Sequence, residues 1–201
     1  MKILALELSS SVGSIALREN SGDSFAAEFR NDRKHSGAFF ENLQRCLATR
    51  GAPELIVVGL GPGSYAGTRI AIAAAIGLGA ATGAALGGLP SIVAMPVDAC
   101  DYVVVGDARR ESFFFARVSK RRCIEGPELF SEGELKDLLG TIEVPIVTAE
   151  PLPRFPSASV VHPSAPILAE IAANRDDLTA PPLEPIYLRA PHITQPRPAR
   201  L

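Results

Sequence analysis

An apolar strand, a glycine cluster and a long uncharged run follow one another in "ELIVVGLGPGSYAGTRIAIAAAIGLGAATGAALGGLP", residues 54–90. No charged residue falls between Ile70 and Val97, a length sufficient to cross a bilayer. Alanine and glycine dominate the run, however, and Ile70, Ile72, Ile76, Leu78 and Leu86 supply most of its bulk before Pro90 closes it. Membrane insertion depends on summed hydrophobicity as well as on absent charge. The stretch therefore predicts a buried helix of a soluble protein, entered from a strand through a glycine-rich turn.

Such a turn gathers unpaired backbone N–H groups and the positive end of a helix dipole, which together favour an anion. The P-loop pattern is absent, because no lysine occurs between Lys34 and Lys120. G-x-G-x-x-G fails too, since Gly61 and Gly63 are followed by Ala66, with Gly67 one place late. A nucleophile elbow needs glycine two places before Ser64, where Pro62 stands. The favoured reading is a tight turn whose glycines let the helix pack close to the sheet. An anion or nucleotide site at Ser10, Gly61, Gly63, Ser64 and Asp107 is the alternative. Arg69, in the first helical turn, opposes the dipole. It predicts a carboxylate or anion partner, with a solvated side chain equally compatible.

The rest of the chain reads as alternating lobes. "KILALELSSSVGSIALRENSGDSFAAEFR" alternates apolar and polar residues in three pieces, broken at 9–11 and 19–23, the pattern of a three-stranded meander. "HSGAFFENLQRCLATRGAP" places Phe39, Phe40, Leu43 and Leu47 at helical spacing, with Ser36 as N-cap and Gly51 and Pro53 as stops. The second half restarts with "DYVVVGDARRESFFFARVSKRR", two strands around a polar turn. Helices follow at "SEGELKDLLG", where Ser131 and Glu134 suit a capping box, and at "SAPILAEIAANR". "VPIVTAE" and "SASVVHP" are short strands, and "HITQPRPARL" is a frayed tail.

Function classes narrow quickly. A net charge of −2 over 201 residues argues against a stand-alone nucleic-acid binder. Cys46, Cys100 and Cys123 form no C-x-x-C pair and read as reduced cytosolic thiols. His35, His162 and His192 lie far apart, so neither a histidine metal site nor a Ser-His-Asp triad has support. Glu7 and Asp107 end strands in corresponding places. They read as caps of their own turns ahead of a hydrated-metal pair. Ala73, Gly77 and Ala81 form a small-residue stripe. Close packing inside the chain and a docking face are both open for it, as they are for Phe39, Phe40 and Leu43.

"GPGSYAGTRI" is similar to the signature G-P-G-S-F-T-G-L/V-R-I of the TsaB (YeaZ) family. The resemblance continues in order through "ILALELSSSVGSIAL", "RKHSGAFFENLQRCL", "VVVGDARRESFFFARV" and "EPIYLR", from about Lys2 to Arg189. It implies an α/β fold of two lobes, the actin-like ATPase (ASKHA) class, each lobe with a ribonuclease-H-like sheet. Residues 1–98 are expected as the first lobe with two interface helices, 99–190 as a shorter second lobe, and 191–201 as a flexible tail.

The resemblance also implies a cytoplasmic, non-catalytic subunit. It would bind the TsaD-type catalytic subunit and act with the TsaE-type ATPase in threonylcarbamoylation of adenosine 37 in tRNA. RNA is met only through the complex, and a homodimer is expected when the partner is missing. Phe39, Phe40, Leu43, Ala73, Gly77 and Ala81 become the expected partner interface. No catalytic residue, metal or cofactor of its own is implied, with ATP or ADP admitted only at the subunit interface. The catalytic sister's H-x-x-x-H segment corresponds here to "LPSIVAMPVDAC", which lacks histidine. Glu7 departs from the family's usual Asp, and Tyr65–Ala66 from Phe-Thr. A small nucleotide-binding enzyme of the same superfamily is the alternative.

Overall fold

A computed structural model describes residues 1–20, 22–31 and 36–189. Two five-stranded sheets form the two lobes. The first has the order β3-β2-β1-β4-β5, from β1 (Ile3–Glu7), β2 (Val12–Glu19), β3 (Gly22–Arg30), β4 (Leu55–Gly59) and β5 (Ala85–Leu89). The second has β6 (Asp101–Asp107), β7 (Ser112–Ser119), β8 (Arg122–Ser131), β9 (Ile146–Thr148) and β10 (Ser159–Val160) in the order β10-β9-β6-β7-β8. Each sheet pairs its first three strands antiparallel and adds the last two parallel, so both lobes repeat one plan. This is the expected α/β fold of two lobes.

Period-two alternation in β1 sends its side chains to two different cores. Leu4 and Leu6 face outward, joining Phe39, Leu43 and Cys46 of α1 (Gly37–Arg50) and Ala71, Ile72 and Ala75 of α2 (Tyr65–Thr82). Ile3 and Ala5 face inward, joining Leu168, Ala169 and Ala172 of α4 (Ala165–Ala173) with Tyr102, Val104 and Phe114 of the second sheet. α4 thus follows the second sheet in sequence yet packs on β1 and β2, so one apolar core spans both lobes. The Tyr102 hydroxyl donates to the Ile92 carbonyl at 2.8 Å. Arg121 donates to the carbonyls of Val93 and Met95, tying the β7–β8 turn to the linker between the sheets.

α3 (Glu132–Leu139) begins with the expected capping box: the Ser131 amide donates to Glu134 Oε2 at 2.9 Å, and the Glu134 amide to Ser131 Oγ. Two expectations need correction, and one strand was not expected. Ser36 holds the N-cap position of α1 but makes no side-chain bond, since its backbone is not extended there (φ −82°, ψ 7°). The uncharged run does not stay helical to Pro90: Gly83, at φ 76°, ends α2 in a left-handed turn and the chain turns back as β5. There Gly88 admits Leu60, whose Cδ1 lies 2.6 Å from where a Cβ would stand. Finally, β8 forms an edge strand that carries no buried alternation to betray it.

Among the described residues no helix is long and apolar enough to cross a membrane. The expected tail, His35 and His192 lie outside the described residues.

Candidate functional site

The two lobes enclose a cleft of about 650 Å³. One wall is the β1–β2 turn, with Ser9, Ser10 and Ser11, and the start of α2, with Gly63, Ser64 and Tyr65. The other wall is the β6–β7 turn, with Asp107, Arg109 and Arg110, together with Thr148 at the end of β9 and Glu150 beyond it. A strap at 185–189 closes one side, bringing Tyr187 and Arg189 to the rim; the Ile186 amide anchors it on the Leu60 carbonyl at 2.8 Å.

The glycine cluster seats α2 on the β1–β2 turn. The Ser64 amide donates to the Ser9 carbonyl at 2.6 Å, and Ser64 Oγ caps the helix by accepting from the Gly67 amide at 3.2 Å. A Cβ on Gly63 would stand 2.2 Å from the Ser9 carbonyl oxygen, and one on Gly67 2.0 Å from that of Leu8. Only glycine fits at either place. Gly61 turns away from the cleft and exchanges hydrogen bonds with Ser91 behind it, at 2.9 and 2.8 Å. Of the five anion-site candidates, Ser10, Gly63, Ser64 and Asp107 therefore line the cleft and Gly61 does not.

The two acids hold their own turns. Asp107 accepts from the Arg109 amide and from Arg109 Nη1, each at 2.7 Å. Glu7 is fully buried, its Oε1 accepting from the Ser9 amide at 2.6 Å, and Oε2 has no partner. A Cβ on Gly59 would lie 1.8 Å from that oxygen, so the carboxyl packs flat under β4. Burial pushes the Glu7 carboxyl up, against the lowering effect of the Ser9 amide. Burial disfavours the charged form of this enclosed carboxyl, which does not line the cleft and so is poorly placed to hold a cation there. No cluster of His, Cys, Asp or Glu among the described residues could hold a metal ion.

Arg69 finds an aromatic partner instead of a carboxylate. Its guanidinium lies 5.1 Å over the Tyr65 ring and Nη1 donates to the Tyr65 hydroxyl. Tyr65 pairs in turn with Tyr187, ring centres 5.6 Å apart.

α2 has a second, open face. Ala73, Gly77 and Ala81 are exposed, as are Ile76 and Ala80, and no atom lies within 4 Å of where a Gly77 Cβ would stand. On α1, Phe40 is 48% exposed, while Phe39 and Leu43 are core residues at 2% and 8%. The six residues expected at an interface thus divide into four that solvent reaches and two that it does not. Sequence reasoning missed Ile76 on this face and Tyr187, Arg110 and Arg189 at the cleft. The only signal for the three cleft residues was presence in "DARRES" and "EPIYLR".

No protein-family model matches the chain. The uncharacterized protein Rv3421c of Mycobacterium tuberculosis is 31% identical over 171 residues, covering 79% of this chain and 77% of the relative. The uncharacterized protein ML0378 of Mycobacterium leprae is 33% identical over 142 residues; the match covers 69% of this chain and spans only 38% of that relative's length. Among solved structures, YeaZ from Pseudomonas aeruginosa superposes with a TM-score of 0.72 at 20% identity, covering 93% of this chain and 99% of YeaZ. An uncharacterized Pseudomonas aeruginosa protein described as similar to peptidase YeaZ superposes equally well, at 21% identity.

Proposed function

Since the chain belongs to the family of the mycobacterial protein Rv3421c and has the fold of YeaZ, we propose that it is a cytoplasmic, non-catalytic docking subunit. Its partner is the TsaD-type catalytic subunit, the TsaE-type ATPase completes the assembly, and the reaction served is threonylcarbamoylation of adenosine 37 in tRNA. The observation that carries this reading is the open face of α2. Its exposed residues Ala73, Ile76, Gly77, Ala80 and Ala81 are uncharged, and small side chains there let a second helix approach the backbone closely. Phe40 on α1 adds an exposed ring of the kind that anchors interfaces. Asp107 is committed to its own turn, Glu7 is shut away from the cleft, and among the described residues no nucleophile–base pair is assembled there. Catalysis accordingly belongs to the partner. When the partner is missing, the same face pairs two copies of this chain.

Calorimetric titration of the TsaD-type subunit of the same organism into this protein tests the reading. Saturable one-to-one heat supports it, and no heat refutes it. A second reading, a small nucleotide-binding enzyme, draws on the cleft, where Ser10, Gly63, Ser64 and Asp107 converge. Titrating ATP into the isolated chain separates the two: heat that Asp107→Ala abolishes favours the enzyme.

A further inference from the structure

We propose that the rim of the interlobe cleft holds a single-stranded RNA segment, one base stacked on Tyr187 and the flanking phosphates on Arg110 and Arg189. The choice of RNA rests on the reading of this chain as a subunit of an RNA-modifying assembly. The contact itself rests on the rim. Proteins that grip single strands combine aromatic faces, on which any base stacks, with cationic side chains along the backbone path. Both are present here. Arg69 and Tyr187 both contact Tyr65, the guanidinium over its ring at 5.1 Å and the second ring tilted by 38° at 5.6 Å. Tyr187 stays 46% exposed at the rim, so its ring is accessible to a base.

The charge is arranged to match. Asp107 takes up Arg109 across the turn, whereas Arg110 and Arg189 line the same cleft without an ion-pair partner among the described residues. The β6–β7 turn presents its arginines on unusual backbone: Arg109, Arg110 and Glu111 have φ of 64°, 54° and 57°, a left-handed conformation that side chains other than Asn and Asp rarely adopt. Glycine would relieve that strain, and such strain concentrates at ligand-holding segments. The tyrosine pair also continues the open face of α2 toward its N-terminus, so a strand carried by a partner on that face reaches Tyr65 and Tyr187 next.

The test is fluorescence anisotropy of a labelled, unstructured RNA of about 12 nucleotides, within the span that one such binding module covers, titrated with the isolated chain at low salt. Expected is micromolar to submillimolar binding that weakens as salt rises. Tyr187→Ala should weaken it about tenfold or more, while Tyr187→Phe, which keeps the ring face, should bind like the wild type. Arg110→Ala with Arg189→Ala should flatten the salt dependence by the equivalent of about two phosphate contacts. All these side chains are exposed, so each variant should melt with the wild type. No anisotropy change up to about 0.5 mM protein, beyond the range of ordinary non-specific binding, overturns the proposal. So does binding that neither the Tyr187→Ala nor the double arginine variant alters, or displacement by equimolar AMP. Retained one-to-one titration with the TsaD-type subunit alongside any of these results discards the RNA contact alone and leaves the docking reading standing.

Discussion

Two glycines of one helix should respond to the same substitution with opposite signs. Gly67→Ala places a methyl 2.0 Å from the Leu8 carbonyl oxygen, where ordinary contact begins near 3.4 Å, so backbone must move by more than 1 Å. That carbonyl also accepts from Asn31 Nδ2 at 3.0 Å, and the same methyl would lie 3.2 Å from that nitrogen. Overpacking costs about 1–3 kcal/mol, a strained hydrogen bond about 1 kcal/mol, and the gain in helix propensity offsets about 1 kcal/mol. The net expectation is a loss of about 2 kcal/mol. Gly77→Ala meets nothing within 4 Å and keeps only the propensity gain of about 1 kcal/mol. For a chain of this size each kcal/mol moves the melting temperature by about 2–4 °C. Thermal unfolding followed by circular dichroism should therefore show Gly67→Ala about 4–8 °C below the wild type and Gly77→Ala about 2–4 °C above it. A Gly67→Ala protein as stable as Gly77→Ala would refute the seating of α2 on the β1–β2 turn.

Neighbouring phenylalanines should divide likewise. Phe39→Ala, at a side chain 2% exposed, should cost about 3–5 kcal/mol in urea unfolding. Phe40→Ala, at 48% exposed, should cost under about 1 kcal/mol yet weaken partner binding in the calorimeter. Glu7 gives a dependence on pH. Its folded pKa lies above the ordinary 4.5, so the folded chain keeps a proton that the unfolded chain releases. Stability from this group is full below about pH 4.5 and is lost as pH rises through the folded value, by up to about 1.4 kcal/mol per unit. Glu7→Gln should remove that slope in urea midpoints measured across the range; an unchanged slope would show the carboxyl is not the group responsible.

Where local pattern and tertiary environment agree, the sequence was readable. The meander of β1 to β3 was legible because polar breaks at 9–11 and 19–23 separate its strands, and the capping box at Ser131 because both partners lie within four residues. β5 was not legible. "ALGGL" has no β-branched residue, and the strand exists because parallel pairing with β4 and the left-handed turn at Gly83 place it there. Phe39 and Phe40 could not be sorted by spacing alone, since adjacent helical positions point about 100° apart and both fit an apolar stripe. The cleft was half visible. Ser10, Ser64 and Asp107 stand at strand–turn junctions that pattern can find. Tyr187 reaches Tyr65, and Arg189 the cleft, only because the 185–189 strap crosses back to the first lobe, and no local signal encodes that return.

The central claim is that the exposed face of α2 is where this chain meets its partner. Light scattering behind a sizing column tests it most directly, with wild-type and Gly77→Leu proteins each run alone and mixed with the TsaD-type subunit. Gly77 faces open solvent, so the leucine leaves the fold intact while adding bulk where two backbones must approach. The account predicts a one-to-one complex for the wild type, two separate peaks for Gly77→Leu, and a free Gly77→Leu protein that melts no lower than the wild type. A Gly77→Leu protein that assembles as completely as the wild type would contradict it.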